Sequence, residues 1–197
     1  MNCYVEIGGR LEVAGYSMTS SPLAAGTIDL AVKRTETNVV TRFLHERAMV
    51  GDVLHIDGGQ GEFFYQREMG DSLMLIGGGI GITPLMSIMR YVDEAAPDVR
   101  ATLAYSARYP SALLFRNQLL HMAARNENIR CLFTVTGPIN EAWDGQTGRI
   151  DTEMLTEAQT DPYALHYVCG PPQMIRNMLS LLGGLGVSAS RIKYEEW

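Results

Sequence analysis

The hydrophobic and polar positions follow two different patterns along this chain, and the change falls near residue 70. Before that point, short stretches alternate in polarity, which is typical of half-buried strands. The alternation predicts strands over residues 4–7, 27–32 and 53–56, with a Gly8-Gly9 turn after the first. One helix is predicted over residues 40–46. This part is therefore predicted to be a β-rich domain covering residues 1–69.

From residue 70 the pattern predicts strands and helices in alternation. Short apolar runs predict strands over residues 73–76, 100–105, 129–135, 163–169 and 192–194. Helices are predicted from Pro84 onward and over residues 112–124, 152–159 and 172–182. The helix over residues 152–159 is predicted to be capped by Asp151. Arg90 is interpreted as a solvated or helix-capping charge. Alternating strands and helices predict a second domain, residues 70–197, with a parallel sheet and helices on both faces.

Composition narrows the classes of partner. The chain has 197 residues, of which 46% are hydrophobic, and its 16 basic and 22 acidic side chains give a net charge of −6. Nucleic acid is not expected as a partner, because phosphate backbones require clustered Lys and Arg. Small anions remain possible, since backbone amides bind phosphate without net positive charge. No apolar run reaches the roughly 18 residues of a membrane span.

The cysteines and histidines do not predict a metal centre. Cys3, Cys131 and Cys169 form no C-x-x-C pair, and four thiolates for an iron–sulfur cluster are lacking. The four histidines lie singly on different predicted elements. Three unpaired cysteines predict a reducing compartment, either the cytoplasm or the mitochondrion.

The strongest chemical signal is a glycine loop between a buried strand and a helix. Glycines let the backbone approach a diphosphate, and the helix N-terminus presents N–H groups and partial positive charge. A plain tight turn is the alternative. The predicted binding residues are Gly77, Gly78, Gly79, Ile80, Gly81, Ile82, Thr83 and Pro84.

A second loop also follows a strand and opens a helix. Ligands of open α/β sheets collect at the carboxyl ends of the strands, so we expect both loops to face one ligand. Cys169 has an alternative role as a small buried apolar residue. The residues predicted here are Cys169, Gly170, Pro171, Pro172 and Met174.

Ser106 and Arg108 follow the next predicted strand. NAD-selective sites often carry an acid at this place for the ribose diol, whereas arginine suits a 2′-phosphate. No Asp or Glu lies in the stretch, so Ser106 and Arg108 are candidates for binding the phosphate of NADPH. A solvated arginine explains Arg108 equally well, so the nucleotide is written NAD(P)H.

The two loops, in this order and about ninety positions apart, resemble the nicotinamide-nucleotide domain of the ferredoxin–NADP reductase superfamily. The run from Gly15 to Pro22 resembles that family's R-x-Y-S flavin motif, and the run from Gly58 to Phe63 resembles its G-P-x-G-x-F turn. The tail from Tyr194 to Trp197 is similar to its aromatic C-terminus. The combination most resembles the oxidoreductase NAD-binding domain-containing subgroup. The fold this implies is an α/β nucleotide-binding domain preceded by a partial antiparallel β-barrel that binds flavin.

The resemblance implies specific roles. Ser17 would hydrogen-bond flavin N5, Cys169 would lie near nicotinamide C4, and Trp197 would cover the other flavin face. Thr41 would bind the FAD diphosphate at the start of a short helix. The remaining flavin contacts would come from two segments. The first contains Tyr16, Met18, Thr19, Ser20 and Ser21, and the second is the adenosine-contacting strand of Ala31, Val32 and Lys33.

Three departures from the family pattern bear on flavin binding. Ala14 stands where the family has an arginine that pairs with the diphosphate, and Asn38 replaces a glycine but tolerates a left-handed backbone. The resemblance begins partway into the barrel, so its first two or three strands are expected to be absent.

The expected activity is that of an FAD-dependent NAD(P)H oxidoreductase. It would pass hydride from nicotinamide C4 to flavin N5, and then electrons to an unknown protein or small-molecule acceptor. One alternative is a nucleotide-binding or regulatory module that has lost productive flavin binding. Another is a subunit whose barrel is completed by a second chain.

Overall fold

An antiparallel three-stranded sheet with one helix forms the N-terminal part of the protein. The computed structural model describes residues 1–158 and 161–196. Strands β1 (Asn2–Ile7), β2 (Arg10–Gly15) and β3 (His55–Ile56) lie in the order β2-β1-β3. Helix α1 (Val39–Glu46) closes one face, where Cys3, Val5, Ala14 and Val40 form a small buried core. The first predicted strand, its turn and the predicted helix are confirmed.

The other N-terminal predictions are less accurate. The predicted strand over residues 27–32 is wrong, because this segment pairs only through one bridge between Met18 and Leu30. Alternation specifies a strand only where a neighbouring strand and a covered face exist, and Ile28 remains 46% exposed. The strand over 53–56 shrinks to β3. Strand β2 was not predicted, although it pairs with β1 along its whole length.

The rest of the chain forms a six-stranded parallel sheet. Its strands are β4 (Ser72–Gly78), β5 (Arg100–Ala107), β6 (Ile129–Val135), β7 (Gln146–Thr147), β8 (Leu165–Gly170) and β9 (Ile192–Glu196). Their order is β7-β6-β5-β4-β8-β9, and every pairing is parallel. The helices are α2 (Ile82–Ala95), α3 (Arg116–Arg125), α4 (Thr152–Glu157) and α5 (Pro172–Gly184). The predicted α/β class is confirmed.

Two apolar cores cover the faces of this sheet. Leu73 and Leu75 of β4 point into one core with α2 and α3, whereas Met74 and Ile76 point into the other with α4 and α5. Because successive strand residues point to opposite faces, a strand buried on both sides is apolar throughout. This explains the continuous run that ends in the glycine loop.

Some boundaries differ from the prediction. Helix α3 begins at Arg116 rather than at residue 112, since residues 110–112 form a short 3-10 helix and Phe115 has a left-handed backbone with φ of 61°. The two-residue strand β7 was not predicted. Within the described parts of the chain, no helix is long and apolar enough to cross a membrane.

Candidate functional site

The two predicted loops pack directly against each other at the carboxyl ends of β4 and β8. A Cβ atom added at Gly81 would stand 2.3 Å from the carbonyl oxygen of Cys169. A Cβ atom at Gly78 would stand 2.3 Å from the sulfur of Met174, and one at Gly170 would stand 2.9 Å from the same atom. Glycine is therefore required at position 81, where the atom met is backbone, whereas at positions 78 and 170 the atom met belongs to the flexible Met174 side chain.

The adjoining turn is held by a buried tyrosine. The hydroxyl of Tyr105 donates to the carbonyl of Gly79 at 3.0 Å and accepts from the backbone N–H of Leu114 at 3.3 Å. Burial raises the pKa of Tyr105 far above its ordinary value, so the hydroxyl keeps its proton. Gly79 itself has a left-handed backbone, with φ of 56°. The hydroxyl of Thr83 donates to the carbonyl of Ile80 at 3.0 Å, which fixes the first turn of α2.

A pocket of about 310 Å³ opens beside these loops. Six of the predicted nucleotide-binding residues line it, namely Gly78, Gly79, Ser106, Arg108, Pro171 and Met174. The other predicted loop residues are not part of its lining, namely Gly77, Ile80, Gly81, Ile82, Thr83, Pro84, Cys169, Gly170 and Pro172. The structure thus brings the two loops and the Ser106 strand end to one cavity.

Sequence reasoning missed other residues of this pocket. Arg149, from the segment before α4, is exposed and lines the cavity, together with Thr136 and Asn177. Arg108 is also exposed, with its guanidinium 5.4 Å from the ring centre of Tyr109. Two arginines therefore face the same cavity. No local motif marks Arg149, because a long connection brings it to the strand ends.

A second, larger cleft of about 1,050 Å³ lies between the two parts of the protein. Its walls come from the segment after β2, the glycine-containing turn before β4, one face of α2, and β9. Its lining includes Tyr16, Ser17, Met18, Phe64, Pro84, Ser87, Tyr91, Lys193, Tyr194 and Glu195. Helix α2 therefore begins at the loops of the first pocket and continues along the wall of the second.

Tyr16 and Thr41 are joined at one end of this cleft. Their hydroxyl groups are 2.8 Å apart, and burial raises the pKa of Tyr16. The backbone N–H of Thr41 donates to the side chain of Asn38 at 2.9 Å, which caps α1. Asn38 has an extended backbone, with φ of −98°. Asn38 therefore serves as the cap of α1, and its tolerance of a left-handed backbone is not used.

Several predicted flavin contacts are used within the protein. The hydroxyl of Thr19 donates to the carbonyl of Asp29 at 3.1 Å, and that of Ser20 accepts from the N–H of Asp29 at 3.2 Å. Both serve to close the loop over residues 19–29, and both side chains are buried. Ser21 is buried too, and its hydroxyl accepts from the N–H of Leu23 at 3.2 Å.

The predicted adenosine strand and the position of the missing arginine lie away from the cleft lining. Ala31, Val32 and Lys33 are in an irregular segment, where the carbonyl of Val32 lies 2.9 Å from Nε2 of His45. Ala14 faces the small apolar core beside Cys3. Position 14 therefore contributes a methyl group to the apolar core, where the family has an arginine that pairs with the flavin diphosphate.

Cys169 and Glu195 are paired neighbours on β8 and β9. The Cys169 thiol is 3% exposed, and burial, with a contribution from the Glu195 charge, raises its pKa to about 12. The thiol is therefore neutral at physiological pH. Loss of hydration also raises the pKa of Glu195, which lines the cleft. Glu195 was missed as a site residue, although it lies in the tail that the resemblance singled out. Trp197 lies outside the described residues.

Comparison with known proteins gives matches along the whole chain. Residues 1–65 match the oxidoreductase FAD-binding domain, and residues 75–179 match the oxidoreductase NAD-binding domain. The chain is 29% identical over 193 residues to the glycine betaine monooxygenase reductase subunit of Pseudomonas aeruginosa, covering 97% of this chain and 53% of that protein. It thus spans about half the length of the curated relatives it matches.

Solved structures share the fold. The flavohem-like FAD/NAD binding domain of nitric oxide dioxygenase from Vibrio cholerae superposes with a TM-score of 0.84 at 22% identity, covering 100% of this chain and 82% of that one. A ferredoxin NADP⁺ reductase from Neisseria gonorrhoeae, with bound FAD and NADP, gives 0.81 at 19% identity, covering 99% and 84%.

Proposed function

Because the chain belongs to the oxidoreductase NAD-binding domain family, within the ferredoxin–NADP reductase superfamily, we propose that it is an FAD-dependent NAD(P)H oxidoreductase. Bound FAD would supply the chemistry that side chains lack, namely hydride acceptance at N5 from nicotinamide C4 and release of electrons singly or in pairs. The electron acceptor is a protein or a small molecule of unidentified structure.

The observation that carries this proposal is that one continuous loop and helix connects two ligand-sized cavities, because the glycine loop lines the first and α2 lines the second. Helix α2 begins at the glycine loop beside the 310 Å³ pocket, and its Pro84–Ser87 face lines the cleft of about 1,050 Å³. Ligand sites commonly have volumes of about 300–1,000 Å³, so both cavities suit nucleotide-sized groups. Hydride transfer requires two groups held close together, and a shared rigid helix is suited to that task.

The residues of each cavity have separate roles in the proposal. Ser106, Arg108 and Arg149 bind the nucleotide's phosphates, with two arginines favouring the 2′-phosphate of NADPH. Ser17 would offer a hydroxyl to flavin N5, and the neutral Cys169 would lie near nicotinamide C4. Glu195 holds a proton more readily than an ordinary carboxyl because its pKa is raised. Trp197 is kept as the proposed cover of the flavin.

Two broader expectations accompany the proposal. We propose the junction between the flavin-binding domain (residues 1–69) and the nucleotide-binding domain (residues 70–197), and the gap between the two family matches supports it. The three cysteines favour a reducing compartment, and the bacterial relatives favour the cytoplasm over the mitochondrion.

Loss of flavin binding is a second candidate, favoured by Ala14, which places a methyl group in the core where the family has a phosphate-binding arginine. A subunit completed by another chain is a third, favoured by the exposed Leu11 and Val13 on β2. Molecular mass in solution tests the third candidate.

Flavin retention separates the first two candidates. The purified chain is mixed with excess FAD, desalted, and examined by visible absorption. We expect about one FAD per chain to remain, the stoichiometry of a single cofactor site. A folded chain that binds NADPH but keeps no flavin would instead support the binding-module candidate.

A further inference from the structure

Arg90 connects the two parts of the protein. Its side chain is only 14% exposed, and Nη1 donates to the carbonyl of Thr19 at 2.7 Å. Nη1 also reaches the carboxylate of Asp29 at 3.2 Å, and Nη2 donates to the side-chain carbonyl of Gln118 at 3.0 Å. The interpretation of Arg90 as a solvated charge is therefore wrong. Charge-assisted hydrogen bonds of this kind are stronger than neutral ones.

Ser87 makes a parallel contact one turn earlier on α2. Its hydroxyl donates to the carbonyl of Ser20 at 2.7 Å. Asp29 is 61% exposed, so its ion pair with Arg90 contributes little. The two bonds to the backbone of Thr19 and Ser20 are the durable part of the contact, because both of those residues are buried. They fix the segment that directly follows Ser17 and Met18 in the cleft wall.

The guanidinium of Arg90 also contacts the residue that precedes α3. Its guanidinium lies 5.5 Å from the ring centre of Phe115, whose left-handed backbone begins α3. The preceding residue, Leu114, donates its N–H to Tyr105, and Tyr105 donates to the carbonyl of Gly79. A continuous set of contacts therefore runs from the flavin-side loop through Arg90 to the glycine loop.

We propose that Arg90, supported by Ser87, is a positioning residue that sets the distance between the Ser17 segment and the glycine loop. This positioning role rests on the proposed function, since the distance between the two segments governs how nicotinamide C4 approaches flavin N5. Hydride transfer is sensitive to such placement, and an error of about 1 Å can cost about a hundredfold in rate. Arg90 acts through the loop over residues 19–29.

The kinetic test uses the FAD-loaded chain and its variants under anaerobic conditions. Arg90→Gln is expected to lower the limiting rate of flavin reduction by about tenfold or more, while the half-saturating NAD(P)H concentration changes less than about threefold. Arg90→Lys should recover part of the rate, because an ammonium group can still donate to Thr19. Arg100→Gln is the matched control, since Arg100 is an exposed arginine at the first residue of β5, at the end of that strand opposite Ser106 and the nucleotide pocket. A wild-type rate in Arg90→Gln would overturn the proposal.

Hydrogen exchange in the flavin-free chain gives an independent readout. The amides of Thr19 and Asp29 are bonded within the loop, to the carbonyl of Asp29 and the hydroxyl of Ser20. Arg90→Gln should make them exchange about tenfold faster, because local opening becomes easier, and Arg100→Gln should not. Unchanged exchange in Arg90→Gln would overturn the proposal even if reduction slows.

Flavin reduction and hydrogen exchange together distinguish a failure of the proposed function from a failure of the proposed role of Arg90. A wild-type chain that is not reduced by NAD(P)H contradicts the proposed function, and the exchange rates still decide the role of Arg90. If Arg90→Gln does not fold, Ser87→Ala decides instead, because it removes only the bond to the Ser20 carbonyl. Faster exchange of the loop amides in Ser87→Ala supports the positioning role, and unchanged exchange overturns it.

Discussion

Gly81 lies directly against Cys169, so that a Cβ atom at position 81 would stand 2.3 Å from the Cys169 carbonyl oxygen. Real Cβ atoms do not approach an oxygen so closely, and the atom they meet here is backbone, which cannot turn aside as a side chain does. The two loops can therefore border one nucleotide pocket only while position 81 is glycine.

Gly81→Ala is expected to destabilise the protein by about 1–3 kcal/mol, the usual cost of forcing extra volume into a packed site. It should also weaken NAD(P)H binding, since the loops must separate. Urea unfolding and nucleotide titration measure the two effects. Gly183→Ala is the matched control, because Gly183 lies in α5 with open space around its Cβ position. Alanine there should be neutral or stabilising by up to about 1 kcal/mol. Equal behaviour of the two variants would contradict the close-packing account.

Arg149 is expected to select the phosphorylated nucleotide. Arg149→Ala should raise the Kd for NADPH about tenfold, equivalent to about 1.4 kcal/mol, and change that for NADH less than about twofold. The difference should shrink at high salt, because Arg149 is exposed. Arg130→Ala, which removes an arginine bonded to Glu157, serves as control. If both nucleotides weaken equally, Arg149 does not recognise the 2′-phosphate.

His166 is expected to make stability depend on pH. It is completely buried, Nδ1 donates to the Ala164 carbonyl at 2.9 Å, and burial lowers its pKa from 6.5. The nearby Asp161 raises that pKa and Arg191 lowers it, but burial dominates. As pH falls below 6.5, the unfolded chain gains a proton that the folded protein resists. Stability is thus fully present above that pH and is lost as pH falls through the folded pKa.

His166→Asn removes this titration, because asparagine can donate to Ala164 without ionising. Urea unfolding at pH 7.5 and at pH 5.5, conditions about one unit on either side of the ordinary histidine pKa, measures the effect. The wild type should lose more stability between the two conditions than the variant does. An equal loss in both would show that His166 does not titrate differently on folding.

The sequence alone predicted the parallel sheet and both loops correctly because their signals are local. A strand buried on two faces is apolar throughout, and glycine or proline punctuates each strand–helix junction. Ser106 and Arg108 were singled out because they follow the next strand, where a dinucleotide site carries its ribose- or phosphate-binding residue. The strand over residues 27–32 failed because alternation does not reveal whether a pairing strand is present.

Arg90 was misinterpreted, and Arg149 and Glu195 were missed, because their roles depend on distant parts of the chain. Arg90 lies on α2, yet the carbonyl it contacts is 71 positions earlier. Arg149 enters the pocket through an irregular connection, and Glu195 meets the cleft because β9 pairs with β8. A single sequence contains no local pattern for such long-range contacts.

The most direct test of the proposed function is anaerobic addition of NADPH or NADH to the FAD-loaded chain while the flavin absorbance is followed. The account predicts that the flavin bleaches, and that Ser17→Ala bleaches at least about tenfold more slowly, the usual lower bound for losing a positioned hydrogen-bonding group. An FAD-loaded wild-type chain whose absorbance stays unchanged with both nucleotides would contradict it.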